Sequence, residues 1–300
     1  MDLRQLKYFI AVAEELNIGR AALRLHISQP PLTRQMQQLE EDLGVQLLIR
    51  TPRGVELTHA GEIFLEEARN VRALVEQTIE KTRRAGEGKL GRLDIGIFGT
   101  GIISAIPKIL QAYRSRYPDV RVVLHTMNKS DQIEALLQKR LHIAFNRMIK
   151  PVPEITTEVI LQESMYLALH ANHPLASQNS VSFREIGRQP LILYPTGVRP
   201  NFVDKIIELC SSKGFTPDIS QIVGDAISAI ALVASGFGIT VVSASAIALK
   251  LPGVVYRSFD DDSATVDLSC IYRSDDQSPV LHTFLQIMRE FGESAVTTTQ

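Results

Sequence analysis

From Leu16 to Leu39 the chain carries no aspartate or glutamate, yet it holds Arg20, Arg24 and Arg34. A second acid-free run, Leu43 to Val55, holds Arg50 and Arg53, and the acids Glu40, Glu41 and Asp42 fill the gap between the two. A surface kept clear of carboxylates suits a polyanion, because each carboxylate would repel a phosphate and each arginine would neutralise one. Arg34 and Gln29 have the donor geometry for guanine and adenine edges in a major groove. Arg50 and Arg53 suit phosphates or a minor groove. Thr33 serves either a phosphate or a base, and Ser28, Pro31 and Gln37 complete a polar ridge flanked by Arg20. The alternative is a helical dimerisation domain with a solvated basic face, but such a face would tolerate acids.

A different chemistry is written further along. Gly99-Thr100-Gly101, Lys129-Ser130 and Pro200-Asn201-Phe202 each open a helical run. Helix starts at the carboxyl ends of parallel strands favour anions. Arg147, just after a strand-like run, adds a cation able to hold a carboxylate through two N–H groups. Together these residues point to a small carboxylate with an unsaturated or aromatic body resting on Phe202. Three alternatives stand beside that reading: Gly99 as the hinge of a tight turn, Arg147 as a structural ion-pair partner, and Phe202 as a core aromatic. Gly96, Gly99 and Gly101 do not form the G-x-G-x-x-G pattern of a dinucleotide site. No nucleophile elbow, metal spacing or paired carboxylates favour an enzyme. His125, His142, His170 and His173 read as structural or solvated. No cofactor is expected.

The elements that must hold these groups follow from periodicity. Leu3, Leu6, Phe9, Ile10 and Ala13 mark one helical face; Gly19 to Leu25 fits a second, short helix. Ser28 is placed to cap a third helix with Pro30 and Pro31 in its first turn, and Leu32, Met36, Leu39 and Leu43 form its stripe. Val45, Leu47 and Ile49 alternate, Pro52-Arg53-Gly54 turns, and Val55 and Leu57 resume, which reads as a wing. Thr58 caps a long helix to about Arg84 whose narrow stripe, Phe64, Ala68, Val71, Val75 and Ile79, fits a two-helix seam or a solvated linker. Ala85 to Lys89 reads as a hinge. From Leu90 onward strands (Leu93–Phe98, 120–125, 142–145, 155–161, 166–170, 191–194, 239–242, 268–272) alternate with helices (102–116, 131–139, 202–213, 226–235, 280–291). That order implies a mostly parallel sheet covered by helices. The tail Thr297-Thr298-Thr299 reads as frayed.

A length of 300 residues suits two or three domains, and 45% hydrophobic content with 22% charged residues is ordinary for a globular chain. The net charge of -1 gives no bulk argument for nucleic acid, so local placement carries it. Cys210 and Cys270 read as two reduced core thiols. The start is charged and its longest apolar run, Tyr8 to Ala13, is short, which reads as neither secretory leader nor membrane span. The expected compartment is the cytoplasm.

The run Ala21-Ala22-Leu23-Arg24-Leu25-His26-Ile27-Ser28-Gln29-Pro30-Pro31-Leu32-Thr33-Arg34-Gln35-Met36 through Leu39-Glu40 resembles the signature of LysR-type transcriptional regulators. So do Leu43-Gly44-Val45, Leu47-Leu48, Arg50, Thr51, Arg53-Gly54 and Leu57-Thr58-His59-Ala60-Gly61. The resemblance covers the whole chain. It implies an α+β multi-domain protein: a winged helix-turn-helix over 1–58, a linker helix and hinge over 59–89, and a type II periplasmic-binding-protein-like α/β effector domain over 90–300. The last would divide into subdomain I (about 90–161 and 269–292) and subdomain II (about 162–268). Promoter DNA, dimers through the linker helix, tetramers and RNA polymerase are the partners it implies. The effector half is most similar to muconate-responsive regulators of aromatic-compound degradation, through Gly99-Thr100, Met127 to Gln132, Phe145-Asn146-Arg147, Leu193-Tyr194-Pro195 and Pro200-Asn201-Phe202. In those relatives effector carboxylates meet hydroxyls and backbone N–H groups. Thr100 keeps a hydroxyl, whereas Lys129 stands where they have threonine and either binds an extra carboxylate or narrows the cleft.

Overall fold

The computed structural model describes the backbone of residues 1–297 and the side chains of residues 1–293. The expected fraying of Thr298 and Thr299 lies outside these residues. The chain forms two compact units, Met1–Arg84 and the remainder from Ala85.

In the first unit, Asp2 and Gln5 cap α1 (Leu3–Glu15) reciprocally, each side chain accepting from the other's backbone N–H at 2.8 and 2.9 Å. Asn17 caps α2 (Ile18–Arg24) through the Arg20 N–H at 3.0 Å. The chain then reverses at His26, whose φ of 55° is left-handed, and enters α3 (Gln29–Leu43). Ser28 holds the cap position but makes no cap hydrogen bond; the two prolines in the first turn need no N–H partners. Phe9, Val12, Ala21, Ala22, Leu32, Met36 and Leu39 meet in one core, where the alanines let the short helices approach. Leu3 and Leu43, expected on inward stripes, are exposed.

The wing pairs β1 (Leu48–Thr51) with β2 (Gly54–Leu57), antiparallel, around Pro52-Arg53. Its inward residues are Leu47, Leu48 and Val55, whereas Val45 and Ile49 are exposed, so the expected alternation is out of phase. The cause is Glu40, whose Oε1 accepts from the N–H groups of Leu47 (2.8 Å) and Leu48 (2.9 Å) and holds both side chains inward. Thr58 caps α4 (His59–Gly86) by accepting from the Gly61 N–H at 2.9 Å. The expected seam on this helix is divided. Phe64 packs edge-on to Phe9, and Ala68 is buried with Leu6 and Ile10, so α1 of the same chain takes the first three turns. Val71, Leu74 and Ile79 beyond them are 38%, 62% and 56% exposed.

The second unit opens with β3 (Gly91–Ile97), a short 3₁₀ turn over Gly99–Ile103, and α5 (Ala105–Arg116). It continues with β4 (Val120–Thr126), α6 (Lys129–Leu137), β5 (Ile143–Asn146) and β6 (Ile155–His170). After β7 (Ser180–Val181) and β8 (Leu191–Leu193) come α7 (Phe202–Ser212), β9 (Ile219–Ile222), α8 (Ala226–Ala234), β10 (Ile239–Ser243), β11 (Val254–Phe259), β12 (Thr265–Arg273) and α9 (Pro279–Thr297). The strand order is β4-β3-β5-β12-β6-β10-β8-β9, with β11 joining β6 to β7.

Two expectations need correction. The strands read at 155–161 and 166–170 are one strand, and the sheet is mixed rather than mostly parallel. The 16-residue β6 pairs antiparallel with β12 over Ile155–Ser164 and with β10 from Met165 onward. It thereby serves two cores: one of Ile95, Ile106, Phe145 and Phe284, the other of Leu167, Ile192, Ile206 and Val241. The chain crosses between these halves at Ser164/Met165 and returns at Ala264/Thr265.

Candidate nucleic-acid interface and ligand cleft

In the first unit the ridge residues Ser28, Gln29, Pro31, Arg34 and Gln37 are exposed and Thr33 is half-buried. The Thr33 hydroxyl donates to the Gln29 carbonyl at 3.1 Å, a bond within the helix that leaves it an acceptor facing outward. Arg34, Arg50 and Arg53 have no hydrogen-bond or ion-pair partner among the described residues. Arg20 and Arg24 differ. Arg24 bridges Glu14 (2.9 Å) and Glu15 (3.3 Å); Arg20 donates to the Glu15 carbonyl at 2.5 Å and lies 3.7 Å from its carboxylate. The five cations of the two acid-free runs therefore split. Two are partly neutralised by Glu14 and Glu15, just upstream of the first run, and three stay unpaired among the described residues on α3 and the wing. Gly54 seats the wing: the Val55 N–H donates to the Leu16 carbonyl at 3.0 Å, and a Cβ on Gly54 (φ +146) would lie 2.3 Å from that oxygen.

The second unit holds a cavity of about 360 Å³, walled mostly by apolar atoms. Of the expected residues, Gly99, Thr100, Lys129, Arg147, Asn201 and Phe202 line it. Ser130 does not, being exposed on α6, and Pro200 contributes only its carbonyl to a neighbour. Phe98, Ile102, Thr126, Asn146, Tyr194, Gly224, Ile227 and Ser243 also line the cavity and were not singled out as binding residues. Most of them sit at or just past the carboxyl ends of strands β3, β4, β5, β8, β9 and β10. The strand-end rule applied to every strand finds them, and it failed at Gly224 because β9 was not recognised.

Phe202 is a core aromatic whose ring packs on Tyr194 at 5.3 Å, and the residue also lines the cavity. The Thr100 and Ser243 hydroxyls meet at 3.1 Å. Asn146 donates to Gln132, which donates to the Met127 carbonyl at 3.1 Å. Burial pushes the Tyr194 phenol well above its ordinary range, so it stays neutral.

The two cations are the informative pair. Lys129 was left with two roles, binding an extra carboxylate or narrowing the cleft. Its Nζ donates to the carbonyls of Arg147 (3.0 Å), Met148 (2.9 Å) and Pro200 (2.7 Å), so all three N–H donors are engaged within the protein. Burial lowers its pKa, partly countered by Asp204. Arg147 joins Glu163 through Nη2, the ion pair left open by its sequence, and both side chains are withdrawn from water, 14% and 7% exposed. Its Nη1 is buried with no partner among the described residues. Glu163 is held in turn by the N–H of Ser245 (3.1 Å) and by the Ser245 hydroxyl.

The histidines have local partners. His125 Nε2 meets Asp94 at 2.7 Å, while Nδ1 of His142, His170 and His173 accepts from the N–H of Asp94, Asn172 and Leu175. Cys210 and Cys270 are buried free thiols, pushed up to about 11 and about 12 by burial. Among the described residues no helix is long and apolar enough to cross a membrane, and no cluster of three or more metal-binding side chains occurs.

A helix-turn-helix with a wing, followed by a two-core mixed α/β unit around a cleft, defines a regulator of the kind suggested by the opening residues. Residues 3–62 match the profile of the bacterial regulatory helix-turn-helix proteins of the lysR family, and residues 86–293 match the LysR substrate binding domain. The chain belongs to the LysR family of transcriptional regulators. It is 40% identical over 289 residues to the regulator TcbR of Pseudomonas sp. (strain P51), covering 96% of this chain and 98% of TcbR. The crystal structure of CbnR, a LysR family transcriptional regulator, superposes with a TM-score of 0.90 at 40% identity, covering 96% of this chain and all of that one. CbnR has also been solved with its target DNA (TM-score 0.87, 39% identity, 97% of this chain and 100% of CbnR). The effector-binding domain of BenM, solved with its effector benzoate, matches at a TM-score of 0.64 and 26% identity, covering 68% of this chain and 93% of that domain.

Proposed function

We propose that this chain binds promoter DNA through α3 and the wing and is controlled by a small carboxylate held in the cleft. The observation that carries the ligand reading is the partnerless, buried Nη1 of Arg147 beside a mostly apolar cavity. A buried guanidinium donor without an acceptor is costly, and a carboxylate on it removes that cost. Thr100, Ser243 and backbone N–H groups at Gly99 to Gly101 would orient the anion, and Phe202 and Ile227 would bracket a flat apolar body. On the front unit, Arg34 and Gln29 would read base edges, while Arg50 and Arg53 hold phosphates. The benzoate in BenM and the target DNA in CbnR support both halves of this reading.

Capture without turnover is the expected outcome at the cleft, with no resident cofactor, in a cytoplasmic protein that regulates genes for degrading an aromatic compound. The exposed Val71, Leu74 and Ile79 on α4 would pair two chains, and dimers would assemble into tetramers that meet RNA polymerase. The ligand acts only through different affinity for two states of the assembly. The test is a gel shift with the DNA flanking the gene, with and without benzoate, alongside a thermal-shift series of mono- and dicarboxylates. A specific shift and stabilisation by an aromatic or unsaturated carboxylate are expected. No DNA binding in dilute buffer, or turnover of the carboxylate by the purified protein, would overturn the reading.

A further inference from the structure

The two halves of the second unit are joined across the cleft by more than the crossing strands. Thr100 meets Ser243, and Arg147 meets Glu163, which accepts from Ser245. A third tie is of another kind. The ammonium of Lys129 reaches the Arg147 and Met148 carbonyls, which follow β5, and the Pro200 carbonyl, which precedes α7 on the other half.

The placement is costly. Lys129 is the first residue of α6, where the positive end of the helix dipole disfavours a cation. It is half-buried, which penalises its charge. Met148, one of its acceptors, is held in the left-handed backbone region at φ 54°, a strained conformation for a side chain of that kind. Three charge-assisted hydrogen bonds offset these costs, and they form together only while both halves face each other at this separation.

We propose that Lys129 is a positioning residue: a crossbar that ties the two halves of the cleft together through protein atoms alone and leaves Arg147 as the cation that reads the ligand's charge. The proposal rests on the cleft being the effector site. It follows that the lysine sets how much of the population is already competent to bind. A ligand needing both halves binds more weakly, by the inverse of the competent fraction, when the crossbar is removed, and the penalty is the same for charged and neutral ligands.

The test uses the full-length chain with spin labels on Leu137→Cys and Glu208→Cys, exposed sites on α6 and α7; the native cysteines are buried and give no background. Without ligand, the parent chain should give one narrow distance. Lys129→Met and Lys129→Gln should each lower the short-distance population relative to longer ones by about tenfold or more, the scale of losing charged hydrogen bonds. The neutral amide of Lys129→Gln keeps a donor near the helix start and guards against misfolding of the methionine variant. An unchanged distance distribution in the folded variants overturns the crossbar. Calorimetry with benzoate and with neutral benzamide gives the second arm. Equal weakening of both supports the crossbar, and weakening of benzoate alone makes Lys129 a direct carboxylate partner and overturns it. If the parent chain binds neither, benzoate is not its effector, and the ligand-free distances still decide the crossbar.

Discussion

The two units present their charge in opposite ways. On the first, Arg34, Arg50 and Arg53 stand in water with no partner among the described residues, so their charge is available to an incoming phosphate or base. In the second, Lys129 and Arg147 are withdrawn from water and bonded to the chain itself, with one guanidinium nitrogen left over. An exposed arginine costs the fold almost nothing, because water solvates it and its loss removes only a contact with the partner. A buried cation must be matched by acceptors, so removing it disturbs the fold as well as the ligand site. Surface recognition and cleft recognition should therefore separate cleanly in stability measurements.

The largest effect should come from the buried pair. Arg147→Met leaves the buried Glu163 carboxylate without its counter-ion, held only by Ser245, and should cost about 3–5 kcal/mol in a denaturant melt of the full chain. The double variant Arg147→Met with Glu163→Met should recover most of it, and a single variant as stable as the parent would break the contrast. Next is Gly54→Ala, which drives a Cβ against the Leu16 carbonyl at 2.3 Å and should cost about 2–3 kcal/mol, read by the melt together with faster hydrogen exchange in the wing. This sharpens the comparison, because it marks the backbone seat of the wing, and not its arginines, as the fragile part of the first unit.

Arg34→Ala should leave the melt unmoved and weaken specific DNA binding by about 1–3 kcal/mol, with relaxed preference at one base pair. Arg53→Ala should weaken all sequences alike and flatten the salt dependence. Operator affinity equal to that of the parent would remove Arg34 from the reading surface. The smallest effect is a pH dependence. The Arg69 guanidinium, aided by Arg24 and opposed by burial, holds the Glu14 carboxyl below its ordinary 4.5. A depressed carboxylate contributes its full stabilisation above the ordinary value and loses it as pH falls through the depressed one. The first unit should thus weaken in that acid window, and Glu14→Gln should remove that part of the dependence in melts taken across it.

How far these features could be read from the chain differs between the units for a physical reason. Helix α3, its proline start, the wing turn and the acid-free ridge are local: each depends on residues within a few turns of one another, so spacing reports them. The wing's phase was misread because Glu40, seven and eight residues before Leu47 and Leu48, decides which way they face. The α4 seam was half misread because Phe9 and Leu6 claim its first turns from another helix. In the cleft, strand ends pointed to Gly99, Thr100 and Arg147, and a helix start pointed to Asn201. Ser243 and Gly224 went unnamed and Asn146 entered only through the family resemblance, because the strand-end rule was not carried to β10 and because β9, exposed along its four residues, shows no buried alternation to reveal it.

By itself the amino-acid order determined the helix-turn-helix, the family and the residue types at the mouth of the cleft, since local hydrogen bonding, capping and the avoidance of like charge act over short spans. Only the tertiary structure decided that Lys129 is tied to three carbonyls, that Arg147 has one engaged and one open nitrogen, and that β6 is one strand serving two cores. Those outcomes depend on which distant groups compete for the same donor once water is gone, and no spacing along the chain encodes that competition.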